Sequence, residues 1–492
     1  MKQKGILLHI SSLPGDYGIG DFGPGALEFA ALIKDQGYSI WQILPLNHPG
    51  HGNSPYNPIS AFALNPLLVS PELLFEAGLI DLNSLESARM PASGRIHFDE
   101  VNRIKTRLLE QAANTYLKRH DIAAFIRENA GWLKPYIAFV ILDHLYDSLH
   151  WSSWPDQHRS YSEDLWQHLQ KDFAHQMHTQ AAIQAILQEQ LAAFSEGLKN
   201  LDIQLWGDMP IYLSYHSAEL WAHPELFYLD ERGLRQRVAG VPPDAFSEEG
   251  QLWGNPIYRW DEKRDEVFRL FEQRIGANLD YVQRLRLDHF IGYVNHWSID
   301  CPPDPTTGEP QMPTSAKAGS WLPTPGEQLF EMLLRKYPAE RFIAEDLGIL
   351  TPEVCEVRDR LGFQGMIILQ FCWQDGHPDV EHFPADRIIY TGTHDNPTTR
   401  QWFEELDADS QEYIHFNEYM QHRRTDPRFE NLMEEGPNAA NAAALMMQIA
   451  INSGCETCIF PMQDLLNLGA EARMNIPGTP LGNWEWRIEW EL

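Results

Sequence analysis

Acidic side chains follow four short apolar runs in the 492-residue sequence. They are Asp208, Asp288, Glu345 and Asp395, and tens of residues separate each acid from the next. A single acid at the end of a strand often only caps the following helix. Four such acids in one chain are stronger evidence for a functional site. A pair of carboxyl groups can cleave a glycosidic bond: the ionised one attacks the sugar and the protonated one protonates the leaving oxygen. The four acids therefore indicate glycoside chemistry if the fold brings them to one place.

Arg286 supports this interpretation. It precedes Asp288 by two residues, and alternate residues of a β-strand point to the same side. A guanidinium in that position favours the ionised form of the Asp288 carboxyl. The pair is therefore suited to a nucleophile that must carry a negative charge.

Metal-dependent hydrolysis is the alternative for acids at strand ends. That class usually has a pair of histidines on the first strand, and the first apolar run here offers only His9. Cys455 and Cys458 form a C-x-x-C pattern, but neither a second cysteine pair nor a histidine pair completes a zinc site. We therefore expect no metal and no cofactor.

Eight apolar runs alternate with helix-like patterns such as 25–36 and 327–336. The predicted strands are Gly5–His9, Trp41–Leu46, Leu205–Ile211, Leu285–His289, Phe342–Asp346, Met366–Phe371, Ile388–Thr391 and Cys458–Pro461. Alternating strands and helices are typical of the α/β class, and eight parallel strands predict a closed (β/α)₈ TIM barrel. The chemistry of such barrels lies at the carboxyl ends of the strands, where all four acids would converge.

The helical stretch from about residue 70 to 198 interrupts that alternation. We predict a catalytic barrel built from 1–69 and 199–492, with 70–198 as an inserted, mainly helical subdomain. The segments 214–260 and 301–326 have no clear strand or helix pattern. Long loops of this kind are usually lids or binding loops, and we assign 214–260 to a lid that contacts substrate.

Composition narrows the possible partners. The chain has 69 acidic and 38 basic residues, a formal net charge of −31, which disfavours nucleic acid and anionic membranes as partners. No apolar run is long enough to cross a bilayer, no signal peptide is evident, and 5 cysteines are few for this length, so we expect a cytoplasmic protein. The 16 Trp, 17 Tyr and 23 Phe include many near Pro, Gly or Asn, where aromatic faces suit sugar rings.

The ordered motifs of the chain resemble those of the bacterial 4-α-glucanotransferases, also called amylomaltases or disproportionating enzymes, of glycoside hydrolase family 77 in the α-amylase clan. The resemblance runs nearly end to end. The matching segments are 5–15, 17–21, 41–46, 54–56, 207–211, 240–244, 253–256, 286–290, 344–348, 393–396, 473–475 and 482–484.

The resemblance implies a role for each candidate residue. Asp288 would be the nucleophile, Glu345 the general acid/base and Asp395 the carboxylate that stabilises the transition state. The substrate-binding residues it implies are Tyr56 as a stacking platform, Asp208, Arg286 and His394 as a polar clamp, and Trp253 in the lid. It also implies a barrel without a C-terminal β-sandwich, no cofactor, and malto-oligosaccharides, amylose or glycogen-type α-1,4-glucans as substrates.

Two positions depart from the family pattern. Ala245 stands where an aromatic residue is often found, and Ile291 where a basic residue is common, which leaves acceptor preference and product size open. A hydrolase of the same clan would use the same carboxylates, and a non-catalytic glucan-binding protein could keep the aromatic residues but lose the acids. The sequence does not determine donor length, ring-forming ability or oligomeric state.

Overall fold

The computed structural model describes residues 2–243, 248–348, 350–479 and 481–489. Its strands, numbered in chain order, are β1 Gln3–Leu7, β2 Ile40–Gln42, β3 Gln204–Met209, β4 Arg237–Val241, β5 Gln251–Pro256, β6 Arg284–Leu287, β7 Asn295–Asp300, β8 Ser320–Pro323, β9 Phe342–Ala344, β10 Met366–Ile368, β11 Ile388–Tyr390 and β12 Thr457–Pro461. Its α-helices are α1 Pro24–Asp35, α2 Pro71–Glu76, α3 Leu82–Ser87, α4 Phe98–Tyr116, α5 Ile122–Glu128, α6 Ala130–Leu145, α7 Glu163–Asn200, α8 Ala218–Ala222, α9 Arg264–Leu279, α10 Ile291–Val294, α11 Gly326–Leu333, α12 Pro352–Leu361, α13 Thr399–Glu405, α14 Gln411–Gln421, α15 Ala442–Asn452 and α16 Met462–Leu465.

Eight of the strands form one parallel sheet in the order β10-β11-β12-β1-β2-β3-β6-β9. A parallel bridge between Ile343 on β9 and Gln364, just before β10, joins the two ends of this sheet. Each of the eight predicted apolar runs overlaps one of these strands, so the predicted (β/α)₈ barrel is confirmed. Seven of the eight predicted runs end one to four residues too late, because the chain leaves the sheet before the polar residues of the barrel mouth, and the run Cys458–Pro461 ends where β12 ends.

The barrel strands form because short apolar runs can be buried on both faces of a parallel sheet. β2, β11 and β12 are buried along their whole length. On the outer side of β2, the Trp41 ring packs edge-on against Phe29 of α1 at 4.8 Å and against Phe194 of α7 at 5.6 Å between ring centroids. The barrel wall and its surrounding helices thus share one apolar core.

Six helices, α2 to α7, lie between β2 and β3, where the sequence predicts a helical insertion. Lys105 of α4 ties this segment to the barrel loops. Its fully buried Nζ donates hydrogen bonds to the carbonyl oxygens of Leu67 and Val69, each at 2.8 Å, and to Asp21 at 3.3 Å. The division into a barrel and a subdomain at residues 70 and 198 stays a prediction.

The expectation that 214–260 and 301–326 lack regular structure is wrong. Strands β4 and β5 lie in the first segment, β8 lies in the second, and with β7 they form an antiparallel sheet in the order β5-β4-β7-β8. Glycine, proline and polar residues interrupt the apolar alternation of these strands, as in Ser320-Trp-Leu-Pro323, so the usual strand signal is weak. Pairing between segments that lie far apart in sequence stabilises them instead.

Cys455 and Cys458 are free and buried, and Cys458 lies in β12 as the sequence predicts.

Among the helices of the described ranges, none combines the length and apolar character needed to span a membrane.

We predict that Lys105→Met lowers the free energy of unfolding by about 3 to 5 kcal/mol, because it removes the cation that pairs with the Asp21 carboxylate and the donor of two carbonyl oxygens. The shift in the urea midpoint measures this effect. Lys118→Met, at an exposed position just after α4, is the matched control and should stay within about 0.5 kcal/mol of the parent. An unchanged midpoint in Lys105→Met would show that the buried ion pair does not hold the helical segment.

Candidate active site

Arg286 lies at the centre of the predicted acids. Its Nη1 donates to both carboxylate oxygens of Asp208, at 2.9 and 2.7 Å, and to Oδ1 of Asp288 at 2.9 Å. Its Nη2 lies 3.9 Å from Oε2 of Glu345. One buried guanidinium therefore contacts three of the four acids that the sequence singles out.

The order of the barrel strands explains this convergence. β3, β6 and β9 are neighbours, Asp208 lies within β3, and Leu287 of β6 pairs with Ala344 of β9. Asp288 and Glu345 each follow one of these paired residues directly. In parallel strands such positions lie at the same edge of the sheet, so the two carboxyl groups share the barrel mouth.

Burial and charge act in opposite directions within this group. Burial raises the pKa of Asp208, and the nearby Arg286 opposes that rise. Burial alone would lower the pKa of Arg286, but the Asp208 and Asp288 carboxylates raise it well above its ordinary value. Arg286 therefore stays charged and compensates the negative charge of its neighbours.

The Glu345 carboxyl differs from the other acids. Its oxygens accept hydrogen bonds from the backbone N–H groups of His289 at 2.6 Å and Leu347 at 3.1 Å. Burial raises its pKa to about 8; Arg286 opposes this rise and the negative charge of Asp288 adds to it. At pH 7 the Glu345 carboxyl is therefore mostly protonated, as a general acid must be.

His289 is a structural residue of the site that the sequence does not reveal. Its φ is +52°, a left-handed conformation that is uncommon outside glycine and costs on the order of 1 to 3 kcal/mol. This turn directs the His289 N–H towards Glu345. Burial also lowers the pKa of the His289 imidazole to about 4, so the ring is neutral at pH 7.

Tyr56, His394 and Asp395 form a second group beside the first. The Tyr56 hydroxyl donates to Oδ2 of Asp208 at 2.8 Å, and its ring stacks on His394 at 5.0 Å between centroids and 12° between planes. Nε2 of His394 lies 3.3 Å from Oδ2 of Asp395. Burial, reinforced by the Asp208 charge, raises the pKa of Tyr56 well above its ordinary value, so Tyr56 remains a neutral donor.

Trp253 reaches the site from the antiparallel sheet. It lies on β5, is 38% exposed, and its ring stands edge-on to His289 at 4.7 Å between centroids. The sheet that the sequence analysis treats as a loop thus brings an exposed indole next to the residue that contacts Glu345. All eight candidate residues are linked to one another through Arg286, Asp208, His289 and the Tyr56–His394 stack.

Two further residues of this region carry no role in the sequence analysis. Nδ2 of Asn475 donates to Oδ1 of Asp395 at 2.6 Å, and the Trp484 ring lies 5.8 Å from that of Tyr56 and 5.9 Å from that of His394. Both belong to motifs that carry the family resemblance. The match to the family motifs is the one sequence feature that points to these two residues, because neither of them follows a predicted strand.

Of the two departures from the family pattern, Ala245 lies outside the described residues, and Ile291 is buried at the start of α10.

Within the part of the chain that the structure describes, no three His, Cys, Asp or Glu side chains are arranged to hold a metal ion.

Comparisons with known proteins agree with this geometry. A family model for glycoside hydrolase family 77, described as 4-alpha-glucanotransferase, matches residues 8–491. The 4-alpha-glucanotransferase of Thermus thermophilus is 38% identical, with 98% of this chain and 94% of the relative covered, and that of Aquifex aeolicus is 36% identical over 99% and 96%.

Among solved structures, an amylomaltase from Streptococcus agalactiae in complex with acarbose is similar, with a TM-score of 0.89 and 31% identity. The similarity covers 99% of this chain and 95% of that one. Since both the family model and the curated relatives span almost the whole chain, the protein belongs to the 4-alpha-glucanotransferases of glycoside hydrolase family 77.

Proposed function

We propose that this enzyme moves segments of α-1,4-glucan from a donor malto-oligosaccharide to the 4-hydroxyl of an acceptor glucose or glucan. Asp288 is the nucleophile, Glu345 the general acid/base and Asp395 the carboxylate that stabilises the transition state. The observation that carries this proposal is the contrast between two carboxyl groups around one guanidinium. Glu345 has a pKa raised to about 8, while Asp288 accepts a hydrogen bond from Arg286. A retaining mechanism needs one such protonated and one ionised carboxyl.

In the first half-reaction the Asp288 carboxylate attacks the anomeric carbon of the donor. Glu345 gives its proton to the glycosidic oxygen, the bond to that oxygen breaks, and the leaving glucan departs with a free 4-hydroxyl. The retained segment is now an ester of Asp288. The developing positive charge on the sugar ring is stabilised by the remaining carboxylate, that of Asp395.

In the second half-reaction Glu345 acts as a base. The ester has removed the negative charge of Asp288, which had contributed to the high pKa of Glu345, whereas the Arg286 guanidinium still favours the ionised form. The Glu345 carboxylate takes the proton of an acceptor 4-hydroxyl, whose oxygen attacks the anomeric carbon and releases Asp288. Two inversions leave the new bond in the α configuration.

The substrate-binding roles rest on the neighbouring contacts. Asp208, Arg286 and His394 surround the sugar whose bond is cut, and Tyr56 lies beside it. Trp253 offers its exposed ring to the acceptor. The amylomaltase of Streptococcus agalactiae binds acarbose, which supports a saccharide as the ligand of the corresponding site here.

Incubation with maltotriose tests the proposal. We expect wild-type enzyme to form glucose together with maltopentaose and longer products, because the cleaved segment is transferred to a second sugar. Asp288→Asn should lose at least about 10³-fold in turnover while its unfolding midpoint stays close to that of wild type, since only the covalent step is removed.

Chromatography of the products measures both results. Release of glucose and maltose without longer products would favour the alternative, a hydrolase of the same clan that uses the same carboxylates. Retention of more than a few per cent of transfer activity in Asp288→Asn would refute its role as the nucleophile.

We also predict that Trp253→Ala raises the ratio of hydrolysis to transfer several-fold, because a glucose acceptor loses its stacking surface and water competes better for the intermediate. The ratio of free glucose to transfer products measures this effect. Trp321→Ala is the matched control, since this tryptophan is exposed on β8 of the same sheet and its ring packs against that of Trp297. Equal ratios in the two variants would leave Trp253 with only an anchoring role.

A further inference from the structure

The described residues that follow α16 run back across the barrel mouth, with one short 3₁₀ turn at Ala470–Ala472 as their regular secondary structure. We call residues 473–479 and 481–489 the C-terminal strap. Its far end is fixed to the segments that follow β1 and precede α4. Ser12 donates through its hydroxyl to the carbonyl oxygen of Trp486 at 2.8 Å, and the N–H of Ile488 donates to the carbonyl oxygen of Ser12 at 2.9 Å. The N–H of Arg487 also donates to the carbonyl oxygen of Gly94 at 3.0 Å.

The near end of the strap is fixed on the loop that carries Asp395. Arg473 Nη2 donates to the backbone oxygen of Asp395 at 2.9 Å, and the N–H of Asn475 donates to the backbone oxygen of His394 at 3.1 Å. The N–H of Trp484 donates to the carbonyl oxygen of Met474 at 2.8 Å, which closes the strap on itself. These bonds hold the Asn475 backbone at a defined distance from the Asp395 loop.

The Asp395 side chain needs such support. It is 45% exposed, and the torsion that orients an aspartate carboxylate has broad, shallow minima. Arg286 bonds to Asp208 and Asp288 and not to Asp395. Two side chains contact its carboxylate: Nδ2 of Asn475 donates to Oδ1 at 2.6 Å, and Nε2 of His394 lies 3.3 Å from Oδ2.

We propose that Asn475 is a positioning residue, which acts on the reaction by fixing the orientation of the Asp395 carboxylate. The inference rests on the proposed role of Asp395 in the transition state. Asn475 holds one oxygen of the Asp395 carboxylate and His394 approaches the other, so the carboxylate meets the sugar in one orientation. The free energy needed to orient it is therefore not spent in each catalytic cycle. The strap thereby extends the site beyond the barrel strands.

A double-mutant cycle tests this proposal, with Asn475→Ala and Asp395→Asn measured alone and together. An α-glucosyl fluoride serves as donor and maltose as acceptor, because a fluoride leaving group needs little protonation and keeps slow variants measurable. We expect Asn475→Ala to lower kcat by about 10- to 100-fold while the donor KM changes less than about threefold. In the Asp395→Asn background, Asn475→Ala should lower kcat by less than about twofold, since the carboxylate that Asn475 orients is then absent.

Asn483→Ala is the matched control. Asn483 lies in the same strap and bonds Ile476 and Thr479 rather than Asp395, so it tests whether a looser strap alone causes the loss. We expect kcat within about twofold of wild type. Equal losses from Asn475→Ala in both backgrounds, or an equal loss in Asn483→Ala, would overturn the inference. Absence of transfer by the wild-type enzyme would instead refute the proposed function.

Discussion

The site depends on a buried guanidinium that is shared among several carboxyl groups. Arg286 brings one positive charge into the barrel mouth, and Asp208 and Asp288 both bond to it. An ionised Glu345 carboxyl would add a further negative charge to this buried space, and the cost of burying a charge that is not paired is high. Glu345, whose nearest guanidinium nitrogen is 3.9 Å away, is the group that remains protonated. The proposed assignment of acid and nucleophile thus rests on charge balance around one residue.

This charge balance requires the carboxyl ends of neighbouring strands to lie at the same height in the barrel mouth. The pairing of β3 with β6 and of β6 with β9 supplies this arrangement, and the His289 turn adds a backbone donor to Glu345. Elements outside the barrel complete the surroundings. The antiparallel sheet carries Trp253 to the ring of His289, and the C-terminal strap carries Asn475 to Asp395. The barrel therefore positions the buried acids, while the added elements position the groups at its exposed side.

Sequence patterns predict the barrel and its acids well because both depend on local signals. A short apolar run followed by an acid identifies β3, β6 and β9, and the two-residue spacing of Arg286 and Asp288 correctly places them on one side. Contacts between distant segments have no such signal. Nothing in Ser320-Trp-Leu-Pro323 indicates its pairing with β7, the positive φ of His289 depends on its surroundings, and Asn475 meets Asp395 across 80 residues of chain. The roles of the individual site residues stay predictions until they are tested in solution.

The protonation state of Glu345 is the most direct test of this account. Infrared difference titration of the wild-type enzyme and of Glu345→Gln, between pH 5 and about pH 10, isolates the absorption of this single carboxyl group. We expect a carboxylic acid band that persists at pH 7, disappears with a midpoint near pH 8, and is missing from the variant. If the difference spectra instead show Glu345 already ionised at pH 6, burial beside Arg286 and Asp288 does not keep it protonated, and the assignment of Glu345 as the acid is contradicted.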